Sequence, residues 1–142
     1  MQINAYLMFD GQCEAAFRFY AQCLGGSIAM LSRYSEMPES ESEGQCAVPV
    51  DYRDKIMHAR LEVGDQVLMG SDIQPGFPHE GVKGCAVSLN VESIAEAERT
   101  FQALAENGRV QMPLEKTFWA ARFGMLVDRF GVPWMVNCMP GQ

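Results

Sequence analysis

The amino-acid sequence predicts one α+β domain, residues 1–142, built from two copies of a strand–helix–three-strand (βαβββ) module. Three observations predict this class: two amphipathic helices with clear end signals, a repeat of the elements around them, and a glycine-centred hairpin after each. We expect the modules at about residues 1–74 and 83–142, with a Pro- and Gly-containing linker at about residues 75–82.

The two helices are predicted from their apolar spacing and their ends. The first covers about Gln12 to Leu24 and stops at Gly25-Gly26. The second begins at Ser93, whose hydroxyl can cap the first turn, and Glu96 completes a capping-box pattern. It stops at Asn107-Gly108, a pair suited to a left-handed cap. Each helix should pack its apolar face against a sheet.

The internal repeat places the same elements in the same order twice. At one shift, the strand-like Ala5–Phe9 falls on Val87–Val91, and matching residues continue through the helix and the next strand: Phe19 with Phe101, Gly26 with Gly108, and Met30 with Met112. At a different shift, the hairpin at 63–69 parallels 130–136. The first module is therefore longer, and the extra residues belong in an acidic loop from Glu36 to Tyr52.

The charge, the cysteine spacing and the apolar runs of the chain argue against several classes of function. A formal net charge of −7 argues against binding to nucleic acid or to an anionic membrane surface. The five cysteines have no paired metal-site spacing, which argues against structural disulfides and a zinc ribbon. The N-terminal residues lack the pattern of a signal peptide, and no apolar run is long enough to span a bilayer. We expect a cytoplasmic protein.

Motifs along nearly the whole chain resemble one protein family. They include the helix Ala16–Tyr20 with its Gly25-Gly26 stop, Glu36-Met37-Pro38, His58–Leu61, Ser71-Asp72, Thr117–Ala120, and Asp128–Trp134. The chain resembles the vicinal oxygen chelate superfamily and, more closely, its PhnB-like branch, which sometimes carries a 3-demethylubiquinone methyltransferase-like label. The resemblance implies an incomplete β-barrel around a small-molecule cleft, the glyoxalase/bleomycin-resistance fold.

The resemblance also implies where a metal would sit in the metal-using members. Their ligands come from the first and last strands of each module, and those positions fall here near Ala5, Leu68 or Met69, Ala86 and Met135. None of these residues offers the nitrogen, thiolate or carboxylate donors that such metals need. No G-x-G turn lies between a strand and a helix to hold a nucleotide-like cofactor. We expect no metal and no cofactor.

His58 is the leading candidate for chemistry. It opens the alternating run His58–Val63 and should share a sheet face with Arg60 and Glu62. It either acts in the cleft as a hydrogen-bond donor or general base, or lies on a solvated face beside those charges. As its acid/base partner we consider Glu36, which follows a strand, or Asp72, which otherwise caps a turn.

Aromatic residues are the candidates for ligand contact. Phe118 and Trp119 lie in an irregular stretch and either wall an apolar pocket or close the barrel end or a dimer contact. Tyr6, beside the first cleft position, is included with them. Trp134 alternates with Val132 and Val136 and is expected in the core.

Two functions follow as hypotheses. In the first, a metal-free cleft binds a small organic molecule. In the second, a metal-independent enzyme (a lyase, isomerase or transferase) uses His58 with Glu36 or Asp72. The acidic loop at 36–52 is either a solvated connection or a lid over the cleft. We also expect a homodimer, since open sheet edges can be covered by a second copy.

Overall fold

The computed structural model describes residues 1–36 and 49–141. These residues form two compact units, Met1–Glu80 and Gly81–Gln142, each with one helix and one four-stranded sheet. The acidic loop at 36–52, expected to be either a solvated connection or a lid, lies largely in 37–48, outside the described residues. Within the described part of the chain, no helix has the length and apolar character needed to cross a membrane.

The first unit has the order strand, helix and three strands. Its sheet order is β1-β4-β3-β2, with β1 and β4 parallel and the other pairs antiparallel. Short 3-10 turns at Tyr34–Glu36 and Val50–Tyr52 flank the loop between β2 and β3. The elements are β1 (Tyr6–Phe9), α1 (Cys13–Leu24), β2 (Ser27–Arg33), β3 (Ile56–Val63) and β4 (Gln66–Asp72).

The second unit repeats this topology, with sheet order β5-β8-β7-β6 and one parallel pair, β5 with β8. Its elements are β5 (Val87–Val91), α2 (Ile94–Ala105), β6 (Arg109–Glu115), β7 (Arg122–Val127) and β8 (Pro133–Cys138). The predicted α+β class with two βαβββ modules is therefore confirmed.

The helix ends agree with their sequence signals. Gly25 adopts a left-handed conformation (φ 68°), and the chain leaves α1 there. The Ser93 hydroxyl accepts the Glu96 N–H at 3.1 Å, as a cap should. Asn107, with φ 59°, makes the left-handed stop after α2. These ends depend on a few neighbouring residues, which is why the sequence alone predicts them.

Each helix packs an aromatic ring against a strand glycine. A Cβ atom added to Gly70 would come within 2.7 Å of the Phe17 ring, and one added to Gly124 would come equally close to the Phe101 ring. Glycine is therefore required for the helix to lie this near the sheet. The rest of the core on these faces is apolar and buried: Leu7, Phe9, Ala59 and Leu61 in the first sheet, and Leu126, Trp134 and Val136 in the second.

The opposite face of each sheet, which we call the helix-free face, is defined by strand alternation and pairing. In the first sheet it carries Tyr6, Met8, His58, Arg60, Met69 and Ser71. In the second sheet it carries Ser88, Asn90, Phe123, Met125, Met135 and Asn137.

Strand pairing corrects the alignment of the two modules. Tyr6 pairs with Met69 in the first sheet, and Ser88 pairs with Met135 in the second, so Met69 corresponds to Met135. The sequence comparison instead aligned Met69 with Val136, which faces the helix. The two alignments differ because the hairpins have different lengths: residues 64–65 join β3 and β4, whereas residues 128–132 join β7 and β8. A slip of one residue moves every side chain to the other face.

Candidate functional site

Tyr6 and His58 form a polar pair on the helix-free face of the first sheet. Tyr6 lies on β1 and His58 on β3, with β4 between the two strands. The Tyr6 hydroxyl is 3.4 Å from His58 Nδ1, and the ring centroids are 5.9 Å apart. With Nδ1 unprotonated, the tyrosine hydroxyl donates to it and leaves Nε2–H for another group. Both residues remain in contact with solvent.

His58 has the neighbours that its alternation predicts. Arg60 and Glu62 follow it on the same strand face, and their side chains form an ion pair at 3.1 Å. Because Arg60 and Glu62 pair with each other, neither takes up the hydrogen-bonding capacity of the His58 imidazole. Among the described residues its hydrogen-bond partner is Tyr6, a pairing that the sequence analysis did not anticipate.

Asp72 holds the first unit together at the end of β4. Its side chain is 1% exposed. Oδ1 accepts the backbone N–H of Cys13 at 2.9 Å, in the first turn of α1, and Oδ2 accepts that of Ile56 at 2.8 Å, at the start of β3. With both oxygens occupied and buried, Asp72 has the contacts of a structural residue rather than those of an acid/base group.

Burial and the Asp72 charge also act on nearby ionisable groups. Burial, followed by the carboxylate, raises the pKa of the Cys13 thiol well above its usual value, so this cysteine is held as the unreactive thiol. The same two causes raise the pKa of Tyr52 to about 12 and raise that of Tyr34 as well. These groups therefore stay protonated around Asp72 at neutral pH.

The two tyrosines anchor both stems of the loop between β2 and β3. The Tyr34 hydroxyl donates to the backbone oxygen of Asp72 at 2.7 Å, and the Tyr52 hydroxyl donates to that of Ile73. Their ring centroids are 5.8 Å apart. Glu36 ends the 3-10 turn that begins at Tyr34 and is exposed. Its position on this stem is fixed, whereas its contact with any ligand stays a prediction.

In the second unit, a short turn before β7 presents Phe118 and Trp119. The Thr117 N–H donates to the carbonyl of Ala120 at 3.1 Å, and the Thr117 hydroxyl accepts the Ala120 N–H at 3.1 Å. These bonds close the turn from both sides and leave the two aromatic side chains at its tip. Trp119 is 42% exposed and Phe118 is 96% exposed.

The Trp119 ring lies against the helix-free face of the second sheet. Its centroid is 5.3 Å from that of Phe123 and 4.8 Å from that of Phe118, and both pairs are edge-to-face. Phe123 pairs with Asn137 across β7 and β8, and Asn137 pairs with Asn90 across β8 and β5. This face therefore combines aromatic rings in edge-to-face contact with two adjacent amides, an arrangement that the sequence did not indicate.

Trp134 has the core position predicted for it. It is 1% exposed, and its indole N–H donates to Asp128 Oδ2 at 2.8 Å. Asp128 Oδ1 accepts the backbone N–H groups of Phe130 and Val132, so the carboxylate organises the hairpin turn before β8. These contacts agree with the structural role that the sequence suggested for Asp128.

The residues present do not fit the metal site of the superfamily that the sequence resembles. With the corrected register, the equivalent positions on the helix-free faces are Tyr6, Met69, Ser88 and Met135. None is a histidine, carboxylate or cysteine. Across residues 1–36 and 49–141, no cluster of three or more such donors could hold an ion.

The predicted ligand-contact residues divide between the units. Tyr6 and His58 lie together in the first, and Phe118 and Trp119 lie together in the second. Each pair is on, or stacked upon, a helix-free face. That all four contact one ligand stays a prediction.

The fold and its faces can be compared with known proteins. Residues 1–137 match the family model described as 3-demethylubiquinone-9 3-methyltransferase. The chain is 34% identical to protein YjdN of Escherichia coli K12 over 145 residues, covering 100% of this chain and 98% of the relative. A crystal structure of protein PA1353 from Pseudomonas aeruginosa is 56% identical, with a TM-score of 0.88 and coverage of 98% of both chains.

More distant structures agree on the fold. A putative 3-demethylubiquinone-9 3-methyltransferase, PhnB protein, from Bacillus cereus is 25% identical, with a TM-score of 0.77 over 97% of this chain and 99% of that one. A glyoxalase-related enzyme from Fulvimarina pelagi and the fosfomycin resistance protein FosX from Mesorhizobium loti have TM-scores of 0.62 and 0.61, which show the shared fold. The chain therefore belongs to the 3-demethylubiquinone-9 3-methyltransferase family.

Proposed function

We propose that this protein binds a small organic molecule on the helix-free faces of its sheets, without a metal. Tyr6 and His58 would supply polar contacts, and Phe118 and Trp119 would supply apolar ones. The observation that carries the proposal is the uncovered state of Trp119 and Phe118, which are 42% and 96% exposed although both are large aromatic residues. Covering such rings with an apolar ligand removes unfavourable contact with water.

The methyl transfer in the family name is not part of this proposal. Nucleotide-like cofactors commonly sit on a glycine-rich turn between a parallel strand and a helix. Here the turn between β1 and α1 is Asp10-Gly11-Gln12, and the one between β5 and α2 is Glu92-Ser93. Neither has the paired glycines that allow a pyrophosphate to approach the backbone.

Native mass spectrometry of protein purified without chelator tests the proposal directly. We expect a bound organic molecule that is released on denaturation. As a defined probe, ANS (anilinonaphthalene sulfonate) should bind, and Trp119→Ala should weaken its binding by about 1–3 kcal/mol, the scale of one lost aromatic contact. Phe77→Ala is the matched control, since Phe77 is an exposed aromatic of the linker.

Replacing His58 should change binding and leave stability almost unaltered. His58→Ala should weaken probe binding while leaving the unfolding midpoint near that of the wild type, because a half-exposed polar residue contributes little to the core. Equal effects of Trp119→Ala and Phe77→Ala on ANS binding would contradict the site assignment. Failure to detect any bound or bindable organic molecule would contradict the function.

A metal-independent enzyme is the second candidate, favoured by the Tyr6–His58 contact of 3.4 Å. In the tautomer whose Nδ1–H donates to the Tyr6 hydroxyl oxygen, His58 Nε2 is unprotonated and can act as a general base. Of the two candidate acid/base partners, Asp72 has less support, since it is buried with both oxygens bonded, and the role of Glu36 stays a prediction. Conversion of the co-purified molecule in the presence of EDTA, lost in His58→Ala, would favour the enzyme over the binding protein.

Homodimer formation and a cytoplasmic location remain part of the proposal. The edge strand β6 exposes Val110 and Met112, and a second copy could cover such a surface. Analytical ultracentrifugation tests this point, and a mass of 15.8 kDa at micromolar concentration would contradict the dimer.

A further inference from the structure

Asn137 lies on the helix-free face of the second sheet, and its side-chain nitrogen is hydrogen-bonded whereas its side-chain oxygen is not. Its Nδ2 donates to Asn90 Oδ1 at 3.1 Å and to Met139 Sδ at 3.4 Å. Its Oδ1 is shielded from solvent and lacks a hydrogen-bond partner among the described residues. Buried polar atoms are nearly always paired, so an orphaned acceptor indicates a partner other than residues 1–36 and 49–141.

The neighbours of this amide already form part of a binding surface. Asn90, its partner on β5, is exposed and carries its own Nδ2 with two N–H donors. Phe123, its partner on β7, supports the Trp119 ring. A molecule lying against these rings would therefore have a donor and an acceptor of the protein at its edge.

A side chain that can move, Met139, borders the Asn137 amide on its nitrogen side. Met139 contacts the amide through its sulfur and is 47% exposed. Methionine is unbranched and adapts readily to a new neighbour. Its displacement would free one N–H of Asn137 Nδ2 and let the side chain turn its oxygen towards a ligand.

We propose that Asn90 and Asn137 form a hydrogen-bonding subsite for a neutral carboxamide- or lactam-like group, whose apolar body lies against Phe123 and Trp119. The ligand N–H would donate to Asn137 Oδ1, and the ligand carbonyl would accept from Asn90 Nδ2. A carboxylate is a poorer fit, because it has no hydrogen to offer the Asn137 oxygen. This inference rests on the proposed function and adds the chemical class of the ligand.

Benzamide is the probe, because it joins a primary amide to one aromatic ring. In nitrogen–proton NMR spectra of the full chain, benzamide should shift the side-chain amide signals of Asn90 and Asn137 and the indole signal of Trp119. N,N-Dimethylbenzamide and benzoate, which lack the donor, should bind at least about tenfold more weakly, as expected for one lost hydrogen bond.

The variant Asn137→Leu separates binding from folding. It removes a buried acceptor without a partner together with the Nδ2 bond to Asn90, whose exposed oxygen can bond to water instead, so the unfolding midpoint should stay near that of the wild type or rise. Benzamide affinity should nevertheless fall at least about tenfold. Asn107→Gly is the control, since Asn107 lies in the left-handed turn after α2, where glycine is equally at home, and should bind benzamide like the wild type.

Two results would overturn the subsite. One is equal affinity for benzamide and N,N-dimethylbenzamide, or full benzamide affinity in Asn137→Leu, with Trp119 still responding; an apolar binding surface would then stand without the amide subsite. The other is a lack of response to benzamide at both the asparagines and Trp119, which would rule out the subsite. The proposed function would then be judged separately, by native mass spectrometry of the co-purified molecule and by ANS binding.

Discussion

Asp72→Asn is the substitution that best separates a structural role from a catalytic one. Asparagine keeps the size of the side chain but replaces one oxygen with an NH2 group. One of the two backbone N–H groups, of Cys13 or of Ile56, would then face another donor inside the protein. An unsatisfied buried donor costs about 1–3 kcal/mol. Loss of a negative charge at the first turn of α1 adds about 0.3–1 kcal/mol.

We therefore expect Asp72→Asn to lower the free energy of unfolding by about 1–4 kcal/mol. A urea titration would measure this, and the slope of the unfolding free energy against urea concentration should stay unchanged. The matched control is Asp65→Asn in the exposed β3–β4 turn, which should stay within about 0.5 kcal/mol of the wild type. The pKa of Tyr52, now about 12, should fall towards its ordinary value without the neighbouring carboxylate, as absorbance titration of the folded protein would detect.

The binding assay completes the distinction. Folded Asp72→Asn protein should bind ANS with the affinity of the wild type, because Asp72 is 1% exposed and cannot touch a ligand. Stability equal to that of Asp65→Asn, combined with a loss of ANS binding or turnover, would refute the reasoning and restore Asp72 as a site residue.

Two further predictions concern stability. Trp134→Ala should cost about 3–5 kcal/mol through a large cavity, whereas Trp119→Ala should cost little; similar losses in a denaturant titration would contradict the separation of core from surface. Glu14 is bonded by Arg33 and Arg18, which hold its pKa at about 2. Its stabilisation is therefore present above about pH 4.5 and is lost as the pH falls towards 2. Glu14→Gln should reduce the change in unfolding free energy across that pH window by less than about 1 kcal/mol, because the ion pair is partly exposed. An unchanged pH dependence of stability would argue against the ion pair.

The candidate site was only partly predictable from the sequence. Alternation along β3 placed His58 with Arg60 and Glu62 because neighbouring side chains of a strand point to opposite faces. The contact between Tyr6 and His58 could not be predicted in this way, because the two residues are 52 positions apart and lie on strands separated by β4. Only the complete sheet brings them together.

The sequence by itself determined the helices, their ends and the twofold repetition of the module. Those features depend on interactions within a few residues, such as the Ser93 cap and the left-handed Gly25. The tertiary structure alone decided the pairing register of the last strands, the burial of Asp72 and the meeting of Asn90 with Asn137. Register depends on loop length and on partners distant in sequence, and a single-residue slip exchanges the two faces of a strand. The local pattern therefore identifies which strands exist, while long-range pairing decides which side chains face a ligand.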